Sequence, residues 1–260
     1  MKAIQSKTIL FITGAFVSNR GWAQWQNWFA DKGYQTYAPS WPHKDGSPAD
    51  LRKGQPNASI ASLRLSQLVD HYASFIETLP ERPIIVGHSF GGLISQLLVQ
   101  KGVAEAAVMI HSVPPQGVFT SRLSFYKATW GPLGIFTNPN KSFLMNFEQW
   151  QYAFTNGMTY EEQRASYEAN VIPESKRASR DALTAAAAID FKKPHVPMLF
   201  VAGEIDNIMP ASLNKSNFKK YKHTGSVTEF KEFEGRNHYT VAQPGWEKVT
   251  NYIYDWIISV

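Results

Sequence analysis

This sequence predicts an α/β fold, a mostly parallel sheet of about six strands with helices on both faces. Three features point to it. Short β-branched and apolar runs recur along the chain, each is followed by a stretch with helical apolar spacing, and one strand-to-helix junction carries Gly-x-Ser-x-Gly. Strands that alternate with helices are joined by crossovers, and crossovers lay helices over both faces of a parallel sheet.

The strand signals fall at residues 8–13, 35–38, 83–86, 107–111, 198–202 and 227–233. The first follows Lys2 and Lys7 and superficially resembles the basic and apolar parts of a signal peptide. No small-x-small cleavage site follows, so a buried strand is expected there. Between the strands, residues 22–31, 59–78, 92–101 and 246–259 carry helical spacing. In the second of these, Ile60, Leu63, Leu65, Leu68, Val69, Tyr72 and Ile76 form one apolar stripe, as in a helix that packs on a sheet.

From residue 114 to 191 the alternation breaks. This stretch is helical in character and rich in aromatics, among them Phe125, Trp130, Phe143, Trp150 and Phe154, and it is too long for a plain loop. The expected organisation is a core of residues 1–113 and 192–260, with residues 114–191 inserted as a helical cap before the acid-bearing strand.

Composition narrows the function. The 260 residues are 43% apolar and 13% aromatic, enough for one sizeable core. The net charge of +5 comes from 26 basic and 21 acidic side chains spread along the chain, and no nucleic-acid motif accompanies it. A nucleic-acid partner is therefore not expected. With no cysteine there is no disulfide, thiolate metal site or cysteine nucleophile. No apolar run is long enough for a membrane-spanning helix, and a cytoplasmic address is the default expectation.

The chemistry centres on residues 83–94, where an apolar strand runs through Gly87-His88-Ser89-Phe90-Gly91 into a helix. So sharp a reversal strains the central residue, and glycines at 87 and 91 remove β-carbons that would collide. The turn lifts the Ser89 hydroxyl clear of the sheet at the positive end of the next helix. Serine needs a base and an acid to orient that base. In a parallel sheet these come from the C-terminal ends of strands, where loops converge.

Of seven histidines, His238 closely follows a strand end, whereas His223 precedes its strand and His43, His71 and His195 lie away from such ends. His88 is expected to pack in the core. His111 ends a strand, so both a pocket wall and a structural role stay open. The acid is Asp206, after the strand at 198–202, with Glu204 as the alternative. Oxyanion donors are expected from the backbone N–H of Phe90 and from the loop at 13–17, there from Ala15 with Phe16 next in line. Gly14 would let that backbone pass close to a substrate. Phe16, His111 and Trp150 are candidate pocket residues. No metal or cofactor is called for.

Taken together, Gly14-Ala15, Gly87-His88-Ser89-Phe90-Gly91-Gly92, Asp206 and His238 resemble the α/β-hydrolase superfamily. The resemblance implies the α/β-hydrolase fold, a helical cap, no cofactor, a small-molecule substrate and a serine esterase activity; the aromatic cap over a site with few charged candidates adds the expectation of small to medium, largely apolar acyl compounds. Lactonase, thioesterase and perhydrolase activities share the same constellation, and a hydroxynitrile-lyase-like enzyme or a non-catalytic ligand receptor on this scaffold are the competing readings. The chain begins almost at the first strand, so the extra N-terminal hairpin of many members is not expected. Thr13-Gly14 stands where members often have His-Gly, which leaves open how the oxyanion loop is braced.

Overall fold

The computed structural model describes residues 4–134, 136–222 and 225–260. The chain runs β1 (Thr8–Ile12), α1 (Ala23–Ala30), β2 (Gln35–Tyr37), α2 (Pro48–Lys53), α3 (Ala58–Ser62), α4 (Leu65–Glu77), β3 (Ile84–His88), α5 (Phe90–Lys101) and β4 (Ala106–Ile110). Then come α6 (Leu123–Leu133), α7 (Phe147–Ala153), α8 (Tyr160–Asn170), α9 (Lys176–Asp181), β5 (Met198–Gly203), α10 (Ala211–Phe218), β6 (Thr228–Phe233) and α11 (Glu247–Ser259). His223, set aside above as a base, lies outside the described residues.

The six strands form one sheet in the order β2-β1-β3-β4-β5-β6, every pair parallel. Period-two alternation divides the strand side chains between two apolar layers. Leu10, Ile12, Ile85, Met109 and Phe200 join Leu68 and Tyr72 of α4 and Leu93 and Leu97 of α5. Ile9, Phe11, Val86, Val108 and Val201 face Trp25 and Phe29 of α1 and Ile253 and Trp256 of α11. Because both faces are covered, the central strands are apolar at nearly every position.

Two elements differ from the expectation. The predicted strand at 83–86 continues to His88, because Gly87 and His88 pair with Met109 and Ile110 on β4. The helix expected over 59–78 is broken into α3 and α4 at Leu63 and Arg64, whose backbones are extended. The break is made by side chains distant in sequence. Asp181 accepts from the Leu65 N–H (3.1 Å), and from Arg64 Nε (2.8 Å) and Nη2 (2.6 Å). Ser175 Oγ binds the carbonyls of Ala61 and Leu63. Backbone groups that a continuous helix would pair internally are satisfied from α9 and the residue before it.

The strand order reverses direction between β1 and β3: the chain goes outward to β2, returns to β3, and then builds the other half of the sheet. The crevice beyond the carboxyl ends at such a switch is where open α/β sheets bind ligands. Here the loop after β1 and the turn after β3 flank it.

Candidate active site

Ser89 sits between β3 and α5 with φ 57° and ψ −117°, a left-handed conformation that costs a non-glycine residue energy. The glycines around it show why the segment accepts this. A β-carbon on Gly87 would lie 2.3 Å from the Gly91 carbonyl oxygen across the turn, and one on Gly91 would lie 2.2 Å from the Ile12 oxygen of β1. A β-carbon on Gly14 would come 2.8 Å from that of Ser89. The close approach Gly14 permits is therefore to the serine turn rather than to a substrate.

From the end of β6 the chain carries His238 over the same edge. Its Nε2 lies 2.9 Å from Ser89 Oγ and its Nδ1 lies 2.6 Å from Asp206 Oδ2. The other carboxylate oxygen of Asp206 accepts from the backbone N–H groups of Ile208 (2.9 Å) and Met209 (2.7 Å). All three side chains are buried. Burial alone would raise the Asp206 pKa, but the charge interaction with His238 and hydrogen bonds from His111 and His238 hold it below the ordinary carboxylate value. An ionised carboxylate only accepts, so Nδ1 of His238 carries a proton and Nε2 is left to accept from the serine hydroxyl.

A second imidazole shares this acid. His111, with φ 49° and fully buried, places Nδ1 2.7 Å from the same Asp206 Oδ2. Of the two roles left open for it, the pocket wall and a structural one, it takes the second, since it does not line the cavity. Burial lowers its pKa, against the pull of Asp206, so it is a neutral donor. Gly203 makes room for it, since a β-carbon there would stand 2.5 Å from His111 Cε1. His111, Asp206 and His238 do bring ligand-type atoms within 4.8 Å of one another. Holding a metal would require removing both Nδ1 protons that now bind the carboxylate.

The remaining candidates are placed as follows. Nε2 of His88 donates to the His238 carbonyl at 2.8 Å, and burial, followed by the neighbouring imidazoles, holds its pKa well below the ordinary value. Glu204 is exposed and accepts from the Gly235 N–H. Trp150 is fully buried one layer behind the pocket, stacked 4.4 Å from the Phe154 ring and bound through Nε1 to Ser166. Phe154 itself faces both the pocket and the His238 ring, which it meets edge-on at 4.6 Å.

Ala15, Phe16, Ser89 and Phe90 line a cavity of about 80 Å³ together with Phe125, Leu133 and Leu183. No charged side chain lines it among the described residues. It shares Pro114, Phe125, Thr129, Leu133, Ala182 and Leu183 with a wider space of about 680 Å³. Around that outer space Phe119, Tyr126, Trp130 and Leu183 are more than half exposed. Phe90 is the first residue of α5, so its N–H has no acceptor within the helix.

Sequence reasoning missed one buried pair near the β1 loop. Glu174, between α8 and α9, accepts from the Phe16 N–H at 3.3 Å and pairs with Lys44, and both charged side chains are buried. Nothing local marks either residue, because the partners lie 130 and 158 residues apart.

With that geometry in view, likeness to known proteins is informative. Residues 9–246 match the alpha/beta hydrolase family. Among solved structures, the chain resembles a monoacylglycerol lipase of Paleococcus ferrophilus (TM-score 0.69, 17% identity, 97% of this chain and 94% of that one). It also resembles polyneuridine aldehyde esterase (0.68, 15%, 96% and 99%). A third likeness is to a variant of tomato methylketone synthase I in complex with β-ketoheptanoate (0.71, 17%, 96% and 97%). At these identities the structural likeness concerns the fold. No curated protein matches the sequence.

Proposed function

The chain belongs to the alpha/beta hydrolase family, and from that premise we propose that it is a serine hydrolase cleaving a carboxylic ester or related acyl bond of a small to medium, largely apolar substrate. The observation that carries this reading is the continuous line from Ser89 Oγ through His238 to Asp206, at 2.9 and 2.6 Å, opening on an uncharged cavity. Residues 114–191 act as the cap over the carboxyl ends of the strands, and residues 1–113 and 192–260 form the core.

In this mechanism Ser89 Oγ attacks the carbonyl carbon while its proton passes to His238 Nε2. The imidazolium is stabilised by Asp206, which His111, Ile208 and Met209 keep ionised and fixed in place. Charge on the carbonyl oxygen is met by the N–H groups of Ala15 and Phe90. The tetrahedral adduct collapses, the C–O bond to the alcohol breaks, and the leaving oxygen takes the proton from His238. Water then attacks the acyl-enzyme with His238 again as base, releasing the acid and restoring Ser89. The lipase and esterase among the structural neighbours fit this chemistry, and the apolar walls favour uncharged acyl groups.

The test is incubation with a fluorophosphonate, mapping of the adduct by mass, and turnover of p-nitrophenyl esters of graded acyl length. Labelling confined to Ser89, loss of both signals in Ser89→Ala, and a preference for uncharged acyl chains are expected. An unlabelled protein with no turnover would remove the hydrolase reading, and activity on charged esters alone would remove the proposed substrate class.

A further inference from the structure

We propose that Glu174, held by Lys44, is a positioning residue for the oxyanion loop: it anchors the Phe16 N–H so that the Ala15 N–H faces the tetrahedral oxygen. The proposal rests on the acyl-transfer reading above and says how one half of its oxyanion site is built.

Phe16 has φ 69°, a conformation that a bulky residue keeps only when its surroundings impose it. Both of its backbone polar groups are bound by the segment that follows α8. The N–H donates to Glu174 Oε2 at 3.3 Å and the carbonyl accepts from the Ile172 N–H at 2.9 Å. The next residues are tied in the same way, with Val17 paired to Val171 and the Ser18 N–H bound to the Asn170 carbonyl. Glu174 is itself fixed by antiparallel pairing with Phe143 and by its second oxygen, which accepts from its own neighbour, Ser175 N–H (2.7 Å). With the Phe16 N–H committed to a carboxylate, the loop's donor to a reacting carbonyl falls to Ala15.

Stability is a poor reason for this pair. Burying a lysine and a glutamate costs desolvation that their attraction does not reliably recover, and apolar pairs of similar volume often serve a fold as well. A requirement for an acceptor opposite Phe16 does explain the carboxylate, and Lys44 then explains itself. An uncompensated negative charge beside the oxyanion loop would oppose the charge that develops there, and Lys44 neutralises it. Lys44 Nζ also lies 4.1 Å from the Trp41 ring centroid, and that ring packs 5.5 Å from Phe90, the residue bearing the other donor. One buried ion pair thus touches the surroundings of both donors. It also replaces the bracing that the Thr13-Gly14 sequence does not provide locally, where Thr13 Oγ1 reaches only Val17 O at 3.5 Å.

Two double variants in the full chain test this. Lys44→Met/Glu174→Met removes the acceptor while filling the volume. Lys44→Met/Glu174→Gln keeps an amide oxygen for Phe16. The first should melt near the wild-type temperature and hold KM for a p-nitrophenyl ester within about twofold, while kcat and the rate of Ser89 phosphonylation fall about tenfold or more, the scale of a disturbed oxyanion donor. The second should stay within about fivefold of wild type in both rates. A folded Met/Met variant within fivefold of wild type, or a folded Met/Gln variant slower than that, overturns the proposal. Should Met/Met not fold, the Met/Gln rates decide by the same limit. A wild-type protein that is neither labelled nor active removes the hydrolase reading and this proposal with it, an outcome distinct from active wild type with indifferent variants.

Discussion

Replacing Gly14 by alanine separates the geometry of the proposed oxyanion loop from the stability of the fold. The added β-carbon would stand 2.8 Å from Ser89 Cβ, 3.1 Å from the His88 carbonyl oxygen and 3.2 Å from His88 Nδ1. Ordinary contact begins near 3.4 Å, so the loop and the serine turn must separate by about 0.6 Å. Neither side yields easily. Gly91 packs against the Ile12 and Thr13 carbonyls beneath the turn, and residues 16–18 are bound to the segment at 170–174. A reacting group misplaced by ~1 Å costs on the order of 10²-fold, so a shift of this size should cost about 10–30-fold in kcat/KM. That is ~1.4–2 kcal/mol of transition-state stabilisation. Overpacking should reduce stability by about 1–3 kcal/mol. The measurement is kcat/KM on a p-nitrophenyl ester beside urea unfolding of the same preparation. A folded Gly14→Ala protein within about twofold of wild type in kcat/KM would show that loop and serine tolerate a β-carbon between them, and the close approach would then not be what sets the donor.

Other changes read other parts of the structure. Asp181→Ala removes a buried acceptor from Arg64 and from the Leu65 N–H and should cost about 1–3 kcal/mol in urea unfolding, with activity largely kept. A loss below about 0.5 kcal/mol would mean that water replaces the carboxylate without penalty. His88 is held neutral in the folded state, with a pKa below that of the unfolded chain. As pH falls below about 6.5 the unfolded state therefore gains a proton that the folded state refuses, and stability is lost toward lower pH at up to ~1.4 kcal/mol per pH unit for this group. His88→Gln retains a donor for the His238 carbonyl and should flatten that slope between pH 7 and 5. An unchanged slope would place the titration elsewhere.

Most of the architecture was legible because it is encoded locally. β1, β4 and β5 lie within two residues of where apolar runs placed them, since a strand buried on both faces needs an unbroken run of apolar side chains and the run is visible in the chain itself. Ser89 was marked by Gly-x-Ser-x-Gly at a strand-to-helix junction, and Asp206 and His238 followed from one rule of the fold, that loops after parallel strands converge at one edge. The structure brings these three into hydrogen-bonding contact.

What the sequence could not show shares a single physical cause, namely interactions between residues far apart in the chain. The apolar stripe of residues 59–78 is continuous, yet the helix breaks because Asp181 and Ser175 claim its backbone groups from more than 100 residues away. His111 carries no local mark of its bond to Asp206, 95 residues on, and so a candidate for the pocket wall became a second donor to the acid. Trp150 is as aromatic as Phe154, and only the packing of α7 decided that Phe154 faces the cavity while Trp150 stacks behind it. By itself the sequence determined the layered α/β core and the sharp turn that carries Ser89, because periodicity and turn residues act over a few positions. Tertiary structure alone decided how Phe16 is held and which groups surround Asp206, because buried polar groups are satisfied by whatever the fold brings near them.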